Sequence, residues 1–485
     1  MNAILINYEM DGSTYITAAE QYKAGTRLTL WQYEPVQPHG LPQYDRNPLP
    51  SDLLPGHIRN FDLERIRATS KEDLEKQATV EVSKVISGGD NNTVQVVLFN
   101  IIQPPVSYRG DAATFPEDGA QVVGLLYDTE FYPGDHGAPY CNEEQADGNL
   151  SRTDAALKHF FSKNKTGHPH IIPQYYGCWV TRVDAYDESG LGTFRYVGLV
   201  LEEYINGHSI ENICTRDECD ELVPPNGFVA FHRPEEIDQE YTSLEVGKNL
   251  CKEVMKQVIH GLVDHMHIGV QHYVFEPCKI FITLRNGKIS LDFPRAVVLG
   301  FTKTEVWSKT KMARGPKGPV QLLEHLPHPP HPYQRFSVEG LTNFIGFWPS
   351  PEDGWYGDEP DDFDNEAEFD EWLTSEEVFG PLTEAADVEA GLGEGVEWPH
   401  PYKKYSLFKT LDPIKPKLLE EREERRKQLE KEGTLEEGIP ETRQSEEQSP
   451  TPQPSQQGVE EEGVRSASTG SHQPEAETTG YTQEL

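Results

Sequence analysis

The sequence predicts an α+β chain in which a β-rich first half is followed by a helical segment and a closing hairpin. Three observations carry this. Apolar residues alternate with polar ones through Val80-Glu81-Val82-Ser83-Lys84-Val85 and again from Val94 to Phe99, the period of half-buried strands. Leu250, Val254, Val258 and Leu262 recur along one face from Leu244 to His267, the stripe of a buried helix that Gly269 ends. Ile280, Ile282 and Leu284 alternate up to Arg285-Asn286-Gly287, and Ile289 and Leu291 resume the alternation, so an Asn-Gly turn closes a hairpin with Asp292-Phe293 at its exit.

Taken in order, residues 1–77 read as an N-terminal extension. One short alternation, Arg27 to Trp31, precedes a proline-rich run from Pro35 to Pro55, and Glu72 to Lys76 has the polarity of a short helix start. The two strands after Ala78 are joined by Ser87-Gly88-Gly89-Asp90-Asn91-Asn92, an ordinary hairpin turn with a carboxylate near its tip. Gln103 to Ala120 is polar and rich in turn formers, a surface loop. Gln121 to Asp128 is a third strand. Leu150 to Phe161 is a helix with Ser151 as its cap and Asp154 at the capping-box position. Ile171 to Trp179 and Arg195 to Gly207 supply two further strands.

Beyond the hairpin, Thr302 to Met312 and Phe336 to Trp348 have the composition of short helices. Residues 349 to about 410 alternate acidic clusters with aromatic residues, and Leu418 to Glu432, within 411–432, is a charged helix with Glu-Arg and Glu-Lys pairs. From 433 to 485 the Gln, Ser, Pro, Thr and Glu content predicts a disordered acidic tail that carries Ser449-Pro450 and Thr451-Pro452.

The stretch from Gly269 to Ala296 resembles the catalytic loop, paired strands and metal-binding loop of protein kinases, in a degenerate, fungal-type form. In that likeness His272-Tyr273-Val274 stands where His-Arg-Asp would be, Lys279 where a metal-holding Asn would be, and Asp292-Phe293-Pro294 where Asp-Phe-Gly would be. Leu125 falls where a phosphate-pairing Lys belongs. The resemblance implies a protein-kinase-like bilobal fold, with a β-rich small lobe and hinge over 78–207 and a truncated helical large lobe over 208–410. It also implies a cleft for ATP with Mg, met by the backbone of Glu203 and Ile205, with Lys279 and Asp292 as further nucleotide candidates and Asp292 as the metal ligand. Glu202 would lie at the back of that cleft.

The side chains at those positions argue against the usual chemistry. Val274 has no oxygen to accept a proton, Leu125 cannot neutralise phosphate, and the ammonium of Lys279 repels a cation. The expectation is therefore a catalytically impaired, pseudokinase-type binding or regulatory module. Two alternatives stand beside it: a residual phosphotransferase using Asp292 and Lys279, and an acidic structural protein with a closed cleft.

Composition bounds the partners. With 81 acidic against 43 basic residues the formal charge is -38, which disfavours nucleic acid and anionic membranes as partners and leaves proteins. No stretch is apolar for long enough to span a bilayer, and Met1 to Asp11 lacks the features of a signal peptide. The six cysteines include no CxxC pair, as expected of reduced thiols in a cytoplasmic or nuclear protein. Asn91, Asn149 and Asn164 head glycosylation-like triplets, read as chance matches without a signal peptide, and His265, His267 and His272 read as helix-end and core histidines.

Overall fold

A computed structural model describes residues 21–45, 76–132 (except 90–91 and 108–111), 142–186, 192–231, 243–311 (except 288), 313, 326–335 (except 327), 341–348 (except 342) and 371–382. The charged helix expected over 418–432, the tail over 433–485, residues 72–75 of the expected short helix and most of the acidic aromatic segment lie outside them.

The first half closes into an antiparallel barrel of six strands: β1 (Arg27–Gln32), β2 (Gln77–Ser87), β3 (Gln95–Gln103), β4 (Gln121–Tyr127), β5 (Tyr175–Tyr186) and β6 (Gly192–Glu203), in the order β1-β2-β3-β4-β6-β5. Closure depends on β1, which pairs Leu28 with Val80 on one side and Leu30 with Thr181 on the other. Residues 27–32 are thus part of the sheet, the one strand for which the alternation from Arg27 to Trp31 left room within the N-terminal extension. Sealing both edges removes the unpaired N–H and C=O rows that an open sheet would present.

Alternation sorts the barrel residues onto two faces. Leu30, Val80, Phe99, Leu126, Trp179 and Leu199 are among those that fill the interior as one apolar cluster. Gly124 is required there: a Cβ at that position would stand 2.3 Å from the Phe99 ring. Val123, Leu125, Tyr127, Cys178, Val180 and Val200 point outward and join a second cluster. That outer face carries α1 (Asn142–Ser162), whose Leu150, Ala156, Leu157 and Phe160 are buried on it.

After β6 the chain forms β7 (Gly207–Ser209) and a single turn, α2 (Ile210–Ile213), capped by the Ser209 hydroxyl accepting from the Asn212 amide. The long helix predicted from Leu244 is α3 (Lys248–His267), with Val254, Val258 and Leu262 buried as the stripe requires. β8 (Val270–His272) pairs with β11 (Thr304–Val306), and β7 extends the hairpin of β9 (Ile280–Asn286) and β10 (Ile289–Val298) into three strands.

This architecture corrects the expected bilobal, protein-kinase-like fold with a helical large lobe. The described residues are dominated by the closed barrel and its satellite sheets, and only α1, of 21 residues, and α3, of 20, exceed a single turn among the helices with described bounds. Thr304–Val306 is a strand where a helix was expected from 302 to 312, followed by a short 3-10 turn at Trp307–Lys309. Within Phe336 to Trp348 the described residues form short 3-10 and turn structure, with Leu341, Phe344 and Trp348 buried. The physical reason is β propensity: Thr, Val and aromatic residues that can line a helix face also satisfy a ladder, and the neighbouring strand decides.

Candidate functional site

A cavity of about 760 Å³ lies where the outer face of β3 and β4, the end of β6 and the start of β9 come together. That is the size of a small-molecule site. Its apolar walls include Val96, Val123, Leu125, Ile205, Phe281 and Phe301, and its polar lining includes Lys84, Asn92, Glu202, Glu203 and Lys279.

The rim is set by the β2–β3 turn. Gln95, fully buried, holds the turn through its side chain: the Gly89 amide donates to Oε1 at 2.7 Å, and Nε2 donates to the Asn92 carbonyl at 2.6 Å. Asn92 Nδ2 donates in turn to the Gly88 carbonyl at 2.9 Å. The Gly88 and Gly89 positions are therefore tied into the hairpin, in keeping with the structural turn expected here.

At the base, β6 ends on two consecutive carboxylates with opposite fates. Glu203 Oε1 accepts from Arg295 Nη1 at 2.8 Å, and its Oε2 accepts from the Gln174 amide at 3.0 Å. The other nitrogens of Arg295 hold the neighbouring backbone: Nε donates to the His170 carbonyl and Nη2 to that of Ile172. Glu202 is 3% exposed, and its Oε2 has no hydrogen-bond partner among the described residues. Burial, with the neighbouring Glu203 charge added, pushes its carboxyl up to about 8, so it holds a proton at neutral pH.

The residues singled out from sequence divide sharply. Leu125, Glu203, Ile205 and Lys279 all line the cavity, Ile205 with 8% exposure. The Glu203 amide is already engaged by the Gln174 carbonyl at 2.9 Å, so it is not free to meet a ligand. Val274 and Asp292 are not among the lining residues.

Asp292 requires a correction. The hairpin does not end there: β10 runs to Val298, and Thr283 pairs with Arg295 while Arg285 pairs with Ser290. Leu291, Asp292, Phe293 and Pro294 together therefore face Leu284 alone, as a bulge that exposes Asp292 and Phe293, the latter to 78%, while Pro294 is buried. The segment that leaves the hairpin beside the cavity is Leu299-Gly300-Phe301-Thr302, which brings no carboxylate. Gly300 has φ +86°, and a Cβ there would come within 3.3 Å of Lys279 Cδ, so the lysine stem lies across this glycine. The missed signal was the apolar run Ala296-Val297-Val298-Leu299 ending in glycine, which continues the strand past Asp292.

The other positions of the likeness are structural. His272 Nε2 stands 3.1 Å from His265 Nδ1, its Nδ1 lies 3.3 Å from Thr304 Oγ1, and Phe160 packs against both rings. Burial lowers His265 well below the usual histidine range and His272 to about 4, so both are neutral. The Tyr273 hydroxyl donates to Glu305 and accepts from Gln43. Asp154 lies in the middle of α1, which starts at Asn142, so the expected capping role is corrected: it accepts from the Tyr175 hydroxyl at 2.5 Å, and the helix is pinned to β5. Among the described residues no three His, Cys, Asp or Glu side chains are grouped as metal ligands, and no helix is long and apolar enough to cross a membrane.

No protein-family model matches this sequence, and no curated protein does so either.

Proposed function

We propose that this protein is a catalytically silent binding or regulatory module, acting as a pseudokinase does, whose working part is the cavity between the barrel and the β9–β10 hairpin. One observation carries the reading: the cavity joins apolar walls to a few convergent polar groups, the composition of a ligand site. The side chains favour binding over phosphoryl transfer. Leu125 offers packing in place of a cation, and the segment leaving the hairpin offers Leu299, Gly300 and Phe301. Of the two carboxylates that line the cavity, Glu203 is paired with Arg295 and Glu202 holds a proton at neutral pH, so neither stands as a free anion for a metal ion. Asp292, on its exposed bulge, does not join Lys279 there.

The test is ligand-observed NMR with a set of small aromatic fragments, using wild type and a Leu125→Arg variant that blocks the wall, alongside a MgATP titration with turnover followed by released phosphate. Fragments that bind wild type and lose binding in the blocked variant, with phosphate release at the buffer rate, support the module. Absence of any fragment binding, or phosphate release that Lys279→Ala abolishes, overturns it.

A further inference from the structure

We propose that the deep end of this cavity selects ligands bearing a planar cationic head of the amidine type, seated on Leu125 and Val123 with its paired N–H groups on the Glu202 carboxyl. The inference rests on the cavity being a ligand site and adds the chemistry that the site chooses.

The argument begins with an imbalance. Two carboxylates end β6, and the protein supplies a cation to one of them. Each nitrogen of Arg295 makes one hydrogen bond, to Glu203 or to the carbonyls of His170 and Ile172, and none of them is a partner of Glu202 Oε2. The other ionisable groups on the flanking elements are occupied too. Tyr127 on β4 donates to Thr153 at 2.7 Å, and Tyr175, which pairs with Glu202 across the sheet, donates to Asp154 of α1. Cys178 on β5 is a buried thiol. An oxygen buried without a partner costs free energy that a ligand donor recovers on binding.

The neighbours fix the shape of that donor. Val123 pairs with Glu202 across β4 and β6, and Val123 and Leu125 lie on the same apolar face. A carboxyl beside such a wall suits a flat group that presents two parallel N–H donors, since both oxygens are then engaged and both faces of the head are apolar. A cationic head also displaces the proton that Glu202 carries at neutral pH. The proton leaves to solvent, and the carboxylate and amidinium remain as a neutral pair. Lys84 and Lys279 line the same cavity with no ion-pair partner among the described residues, and their repulsion of a cation is offset where it seats against the ionised Glu202 carboxylate.

The experiment is calorimetric titration of full-length protein with benzamidine and with benzamide, its neutral counterpart, in two buffers of different ionisation enthalpy. Wild type is expected to bind benzamidine with proton release. Glu202→Gln, which keeps the size of the side chain, is expected to weaken benzamidine by at least about tenfold while leaving benzamide unchanged or tighter. If both compounds bind wild type equally and Glu202→Gln changes neither, the cavity is a ligand site and the selection for a cation is wrong. If neither compound binds wild type although other fragments do, the amidine class is wrong. If no fragment of any kind binds, the cavity is not a ligand site and the inference falls with it. Thermal unfolding of the variant, matched to wild type, separates these results from misfolding.

Discussion

Arg295 Nη1 lies 2.8 Å from Glu203 Oε1, both side chains buried, at the seam where the last strand of the barrel meets the β9–β10 hairpin. The same guanidinium reaches the carbonyls of His170 and Ile172, so one residue ties β10 to the end of β6 and to the segment entering β5. Removing one member of a buried pair leaves an uncompensated charge, whereas replacing both with apolar groups can be neutral. Arg295→Met is therefore expected to lower unfolding stability by about 3–5 kcal/mol. Arg295→Met with Glu203→Leu should recover part of that loss, the remainder being the two carbonyls left without Arg295. Denaturant titration of the single and double variants checks this, and equal loss in both would rule out a charge-based cause.

Glu202 gives a pH signature with a definite sign. Its folded-state carboxyl is raised to about 8 from an ordinary value of 4.5, so between those limits the folded state holds a proton that the unfolded chain has released. Stability from this group is full below the unfolded value and is lost as pH rises toward 8. Glu202→Gln should gain stability relative to wild type at pH 8 and lose that advantage at pH 5. Urea midpoints of both proteins at the two pH values measure it, and a difference independent of pH would contradict the assignment.

His265 and His272 act in the opposite direction. Both are held neutral by burial, His272 with its value near 4, while in the unfolded chain they protonate near 6.5. The unfolded state then binds more protons as pH falls from about 6.5 toward 4, and the native state loses stability over that window. His272→Gln should flatten the slope of stability against pH between these values, as followed by chemical denaturation, whatever its effect on absolute stability.

How far the sequence could be read follows from how local each signal was. The strands β2, β3 and β4 and the helix α3 were legible because alternation and a fourfold stripe are carried within a few turns of chain. The part of β1 in closing the barrel was not, since its pairing with β5 joins Leu30 to Thr181, far apart in sequence. The start of α1 at Asn142 was hidden because its first residues, Asn142 to Gly148, are polar or small, and Gly148 disfavours helix by propensity. In the site, Leu125, Glu202 and Lys279 were singled out only through the protein-kinase resemblance, and all three line the cavity. Asp292 was misplaced because a bulge opposite Leu284 adds residues that alternation cannot count.

Gly207 shows how closely the hairpin approaches the end of β6. It pairs with Thr283, and a Cβ at this position would stand 2.1 Å from the Ile282 carbonyl oxygen, a backbone atom that cannot turn aside. Gly207→Ala is expected to part β7 from β9, to cost roughly 1–3 kcal/mol, and to loosen the cavity wall at Ile205 and Phe281. Hydrogen exchange at Phe281 and Thr283 should rise in the variant, and unchanged protection there would refute the close packing.

Asp292→Ala provides the contrasting case. The residue sits on an exposed bulge and does not line the cavity, and its neighbour Phe293 is 78% exposed. Surface substitutions of this kind fall within about 0.5 kcal/mol of wild type. The variant should match wild type in its denaturation midpoint and in fragment binding, while Leu125→Arg abolishes the latter. A loss of ligand affinity in Asp292→Ala comparable to that of Leu125→Arg would return the aspartate to the site and with it the phosphotransferase alternative. The paired comparison thus decides between two loops, the bulge at Asp292 and the exit at Leu299-Gly300-Phe301, of which the exit lines the cavity and Asp292 does not.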